Sequence, residues 1–424
     1  MIGARIGMSK IRTILSNTIR SLTGNGVEVP VANQDTRVPE VMTRINYISA
    51  IDLNSTDIEQ HLLIVNGGRT PKPQIITWFI PCFEYILYGG IYTIFRFASF
   101  FQKNGMMNNF VIYDASPAVF EDLRGQIIGR FSELTDSRYF CYDGNPDAIP
   151  ASDLSIATFW TSCFISAKFN RTKAKFYFIQ DYEPLFYSAG SFYGLAEMTY
   201  RLGFRGIVNT PGLADYISTN FHMECVSFLP CVDKGLLTID KKQLLNKLSS
   251  DKKKINILFY GRPAQDRNAF ELAIVSLIRL KKQYGDKINI YSAGNDWDEQ
   301  TYGVKGYITN LGRIHNLTKL AKIYRIADIG LVLMMTKHPS YLPFEMMACG
   351  CAVVTNYKKD TDWLFINEIN SVVTEPLPGF VSASIAKLID DNQLRRKIVS
   401  NALQGIEDNS WDRQCEKIFQ YISG

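Results

Sequence analysis

A chain of 424 residues is too long for one ordinary hydrophobic core and predicts two domains of roughly 200 residues each. Its 46% hydrophobic and 21% charged residues are a globular balance, and a dispersed formal charge of +5 gives no argument for a nucleic-acid partner, so none is expected. Eight cysteines without a C-x-x-C pair argue against a zinc or redox site, and with no signal-peptide pattern and no long apolar run they predict a cytoplasmic protein with reduced thiols.

Residues 1–69 read as a partly helical extension. No acid precedes Glu28, whereas Arg5, Lys10, Arg12 and Arg20 are basic and Ile11, Leu15, Ile19 and Leu22 recur at helical spacing. Such a segment suits peripheral contact with the inner membrane face, or an arm docked on the protein's own body. From residue 70 the runs QIITWFIP, NNFVIYDA, SRYFCYD, LSIATFW, KFYFIQD, GIVNTP and CVSFLP alternate with helical patterns and predict the parallel strands of a first domain, 70–235. A lysine-rich break follows. INILFYG, KINIYSAG and IGLVLMM then open a second domain, 255–405, and residues 406–424 read as a helix crossing back to the first. The fold class is therefore α/β, two doubly wound Rossmann-like domains facing a central cleft, and a ligand is expected at the carboxyl ends of the strands.

Three features along the chain point to that ligand. Gly89 and Gly90 follow the first strand, where glycine lets backbone approach a ligand and a helix start offers free N–H groups to an anion. The dinucleotide and P-loop glycine patterns are absent, which removes most support for hydride transfer and ordinary ATP hydrolysis. In FYGRPAQDRNAFEL, Arg262 and Arg267 flank a helix entry and suit a diphosphate, unless Asp266 pairs with them on the surface. In SYLPFEMMACGCAVVTN, Pro343 opens a helix whose N–H groups suit phosphate, and Glu345 suits ribose hydroxyls. The tripeptides at 296–298 and 360–362 have the form D-x-D, but their positions do not suggest a metal, and none is expected.

The order of GRPAQDR, NLGRIHNLTKLAKIYRIADIGLVLMM, SYLPFEMMACGCAVVTN and DWLFINEINSVVTEP resembles the nucleotide domain of retaining family 4 glycosyltransferases, whose fold is GT-B. KFYFIQDYEPLFYSAGSFYGLAEMTYRLG and GRPAQDRNAFEL are similar, more narrowly, to the rhamnan-forming rhamnosyltransferases of the WsaF kind. The resemblance implies metal-independent transfer of L-rhamnose from dTDP-β-L-rhamnose to a lipid-linked glycan of a bacterial surface polysaccharide, with retention and no cofactor beyond the nucleotide-sugar. Another donor, a sugar-nucleotide epimerase of the same fold, or a catalytically silent scaffold are the alternatives. By position, Arg262 and Arg267 match the pyrophosphate-binding pair and Glu345 the second acid of an E-x7-E motif, while Lys337 stands where the first acid belongs. Lys337 and His338 are then expected to meet phosphate or a hydroxyl. Gly89, Gly90, Arg313, Tyr341, Leu342 and Pro343 complete the implied donor site, Asp181 is the implied hydroxyl contact, and Tyr182, Glu183 and Tyr187 are implied on the acceptor side.

Overall fold

The computed structural model describes residues 37–68, 70–249 and 254–424, so the basic stretch with Ile11 to Leu22 lies outside the described residues. Two helices, Arg37–Ala50 and Ser55–Val65, precede the first sheet. The second begins with a capping box in which Asn54 and Asp57 satisfy each other's backbone amides, and buried His61 docks it through Leu202 O at 2.8 Å.

The first sheet contains β1 (Ile75–Pro81), β2 (Met107–Tyr113), β3 (Arg138–Cys141), β4 (Leu154–Ala157), β5 (Ala174–Ile179), β6 (Arg205–Asn209) and β7 (Cys225–Phe228), in the order β3-β2-β1-β4-β5-β6-β7. The second contains β8 (Ile255–Gly261), β9 (Ile288–Gly294), β10 (Thr309–Asn310), β11 (Ile329–Val332), β12 (Ala352–Asn356) and β13 (Val372–Thr374), in the order β10-β9-β8-β11-β12-β13. The pairings of both sheets are parallel. The unbroken apolar runs follow from this, because a parallel sheet is covered by helices on both faces; β4 and β5 are buried at every position. In each sheet the strand order reverses at one place, between β1 and β4 and between β8 and β11. A crevice opens beyond the carboxyl ends of the strands at such a reversal.

The linker is not merely polar. Its helix Lys241–Lys247 buries Lys247, whose ammonium donates to Cys349 O at 2.9 Å and Tyr324 O at 3.2 Å, so the segment is fastened to the second domain. The last helix, Trp411–Ser423, returns to the first domain. Trp411, Cys415, Ile418 and Ile422 lie on one helical face and join the core cluster of Phe97, Phe101 and Phe228. Arg96 ties the outgoing and returning segments together, bonding Asp233 at 3.0 Å with its guanidinium carbon 5.3 Å from the Trp411 ring. Ile418 is fully buried, so Ile418→Ala is expected to lower the unfolding free energy by about 2–4 kcal/mol, measured by chemical denaturation.

Candidate active site

The two reversal points face each other across a cleft of about 710 Å³. Its walls are the segments that leave the carboxyl ends of β1, β4 and β5 in the first domain and of β8, β9 and β11 in the second. Polar side chains therefore arrive on short loops anchored by buried strands.

Arg262 and Arg267 stand on the second-domain wall. Arg262 donates from Nε to Asn295 at 3.0 Å and from Nη1 to the Tyr260 hydroxyl at 3.0 Å, which orients the guanidinium. Arg267 lies 4.4 Å from the Phe186 ring of the opposite domain. Burial and the neighbouring Arg262 both lower its pKa, the expected response of two cations held close. Among the described residues neither arginine is ion-paired with a carboxylate, and Asp266 is not their partner. Facing them is the start of the 15-residue helix Gly89–Lys103, whose N-cap Tyr88 supplies no side-chain hydrogen bond. Its first amides and the arginines make an electropositive concavity suited to a diphosphate.

Gly89 and Gly90 both line the cleft, and each also allows a close side-chain approach. A β-carbon on Gly89 would lie 2.9 Å from the Tyr341 ring, and one on Gly90 would lie 3.3 Å from the Gln180 amide. Tyr341 accepts from Asn209 Nδ2 at 2.7 Å and the Thr93 hydroxyl at 2.8 Å, so it stitches the domains together while lining the cleft. Leu342 is on the wall, whereas Pro343, at the start of the short helix Leu342–Ala348, is buried and outside it. Arg313 lines the cleft and crosses it to pair with Glu84.

Glu345 lines the cleft and accepts from the Tyr324 hydroxyl at 3.2 Å. Protein surrounds it on most sides, and this burial pushes its carboxyl up from 4.5 to about 7. The protonated form is therefore favoured more strongly here than in a solvated glutamate.

Asp181, at the end of β5, accepts from the backbone amide of His338 at 3.0 Å and the hydroxyl of Thr336. Lys358 secures the same loop by donating to His338 O at 2.8 Å and Thr336 O at 3.0 Å. Asp181 lines the cleft as expected of a hydroxyl contact, and each of its oxygens also accepts from the second domain, so the acid ties the two domains together. Lys337 departs from expectation. It is not on the cleft wall and pairs with Asp360 at 3.2 Å over the Tyr216 ring, where a carboxylate and an aromatic face both favour the ammonium. Tyr182 and Tyr187 stand behind the wall. The first donates to Glu197 at 2.9 Å and stacks on Tyr200, and the second accepts from Trp160 Nε1 at 2.9 Å. Glu183 reaches the wall but is 3% exposed and accepts from Trp160 N at 2.6 Å and the Tyr177 hydroxyl at 2.7 Å. The aromatic of this run that lines the cleft is Phe186, which no local pattern distinguishes from its neighbours. The D-x-D acids have local roles. Asp296 accepts from Arg313 N at 3.0 Å, Asp298 from Thr301 N at 2.7 Å, and Asp360 holds Lys337.

Among solved structures, sucrose-phosphate synthase from Thermosynechococcus elongatus superposes with a TM-score of 0.63 at 12% identity, over 82% of this chain and 98% of that one. Alr3699/HepE of Anabaena, solved with UDP and glucose, does so with a TM-score of 0.63 at 14% identity, over 82% and 99%. The fold is GT-B. Residues 255–384 of this GT-B chain match the family described as WsaF, C-terminal domain. In sequence the chain is 38% identical over 351 residues to the O-antigen biosynthesis protein RfbC of Myxococcus xanthus, covering 82% of this chain and 27% of that protein, so it spans about a quarter of that relative's length.

The protonation of Glu345 has a measurable signature. Its folded-state value lies above the unfolded one, so the stability that Glu345 contributes falls as pH rises from 4.5 to 7 and is lost above that range. Glu345→Gln removes the charge but keeps an oxygen for Tyr324. The variant is expected to melt several degrees above the parent at pH 8 and level with it near pH 4.5, by differential scanning calorimetry; an offset independent of pH would contradict this assignment.

Proposed function

We propose that the chain is a glycosyltransferase of bacterial surface-polysaccharide assembly that binds a nucleotide-sugar in the cleft and transfers the sugar to a growing lipid-linked glycan. The observation that carries this is the placement of Arg262 and Arg267, without carboxylate partners, at the carboxyl end of β8 opposite the uncapped start of the helix Gly89–Lys103. The RfbC and WsaF likenesses and the UDP and glucose bound by HepE support the same reading. The resemblance to rhamnosyltransferases favours L-rhamnose carried by dTDP, and a cytoplasmic place of action follows from the need for a soluble nucleotide-sugar.

In the retaining route, the acceptor hydroxyl oxygen attacks C1 on the face from which the diphosphate departs. The C1–O bond to phosphate breaks, the C1–O bond to the acceptor forms, and the acceptor proton passes to an oxygen of the leaving phosphate. The two arginines and the helix amides stabilise the charge that accumulates on that leaving group. Glu345, which accepts from Tyr324, is the residue we assign to the ribose hydroxyls, on the resemblance of its motif. Positive charge from side chains and backbone supplies leaving-group stabilisation without a metal.

Calorimetric titration with dTDP, UDP and GDP in EDTA tests both levels of the proposal. Binding of dTDP that weakens about 10- to 100-fold in Arg262→Ala is expected, the range for losing charge-assisted hydrogen bonds to phosphate. Preference for UDP or GDP would remove the rhamnose assignment. If none binds, the chain is a GT-B scaffold and not a transferase.

A further inference from the structure

Among the described residues several buried polar atoms have no hydrogen-bond partner, and three of them belong to side chains that line the cleft, Gln180 Oε1 from the first domain and Asn268 Oδ1 and His338 Nε2 from the second. Unsatisfied polar atoms in a protein interior are unfavourable, so their presence beside a cleft points to a missing partner.

The chemistry of each atom is determined by its neighbours. Gln180 donates from Nε2 to Gly90 O at 2.9 Å, which fixes the amide orientation and leaves Oε1 as a free acceptor. His338 Nδ1 accepts from Ser340 N at 3.0 Å, which places the ring proton on Nε2 and leaves a free donor. His338 is only 6% exposed, with its ring 5.5 Å from that of Tyr341. The two residues are also tied to each other. Asp181, next to Gln180 in sequence, accepts the backbone amide of His338 at 3.0 Å, which joins the segments that carry the acceptor and the donor.

Resting on the nucleotide-sugar reading above, we infer that Gln180 and His338 are the specificity pair for the transferred sugar, recognising hydroxyls of an uncharged ring held beside the diphosphate. A hydroxyl both donates and accepts, so it satisfies Gln180 Oε1 and His338 Nε2–H as a carboxylate or phosphate does not. Burial lowers the His338 pKa to about 3, with Lys358 acting in the same direction, so the ring stays neutral and offers no charge to an acidic sugar. Lys358 and Asp181 are the charged groups facing it, and both are already engaged with the loop that carries it.

The test compares affinities for dTDP, dTDP-L-rhamnose, UDP and UDP-glucose by calorimetry for the wild-type chain, Gln180→Met and His338→Phe. For whichever nucleotide the wild type binds, the ratio of nucleotide-sugar affinity to bare-nucleotide affinity is expected to fall about tenfold in each variant, with bare-nucleotide affinity within twofold of wild type. His338→Gln, which retains a donor, is expected to recover part of the ratio and guards against a folding defect. A ratio that does not change, or affinities for sugar-linked and bare nucleotide that fall together, would overturn the inference while leaving the transferase reading intact. A wild-type chain that binds none of the four would overturn that reading and the inference with it.

Discussion

The cleft depends on one buried carboxylate. Asp181 ends a strand of the first sheet, yet its oxygens accept from Thr336 and His338 of the second domain. Burial favours the neutral acid and raises its pKa, while these donors and nearby Lys358 favour the charged form. These bonds run from one domain to the other, and Asp181 also accepts from the amide of Tyr182 in its own domain. Tyr341 against Gly89 and Arg267 against Phe186 extend the same closure along the cleft.

Closure also sorts the cleft by charge. One wall carries two arginines whose polar contacts are to neutral oxygens and aromatic faces, which leaves their charge available to an anion. The neighbouring wall carries neutral donors and acceptors, because burial keeps His338 uncharged and brings Glu345 towards neutrality. A site with a cationic end and an uncharged polar end suits a molecule with a diphosphate at one end and a hydroxylated ring at the other.

Much of this was legible in the chain. The unbroken apolar strands, the two-domain division and the arginine-glycine turn at 261–267 are local patterns with a direct physical cause, burial on both sheet faces and a helix entry beside fixed positive charge. The run QDYEP marked the right strand end, but its aromatic members could not be assigned from spacing. Tyr182 faces Tyr200 and Phe186 faces the cleft, although both follow the same strand. Lys337 and Lys175 show a similar limit. A lysine in sequence reads as solvated, whereas one here rests on an aromatic ring and the other is buried in β5, donating to Ser166 O at 2.8 Å at a helix end.

By itself the sequence determined the α/β class, the strand order along the chain, the linker region and the chemical types available for an anion, since these depend on residues close together and on periodicity. Only the tertiary structure decided which side chains face the cleft and in what state. What Asp181 bonds depends on groups more than 150 residues away in the chain, Thr336 and His338, and the states of Glu345, Gln180 and His338 depend on how both domains bury them. Their desolvation is a property of the closed pair of domains, and no local stretch of the chain encodes it.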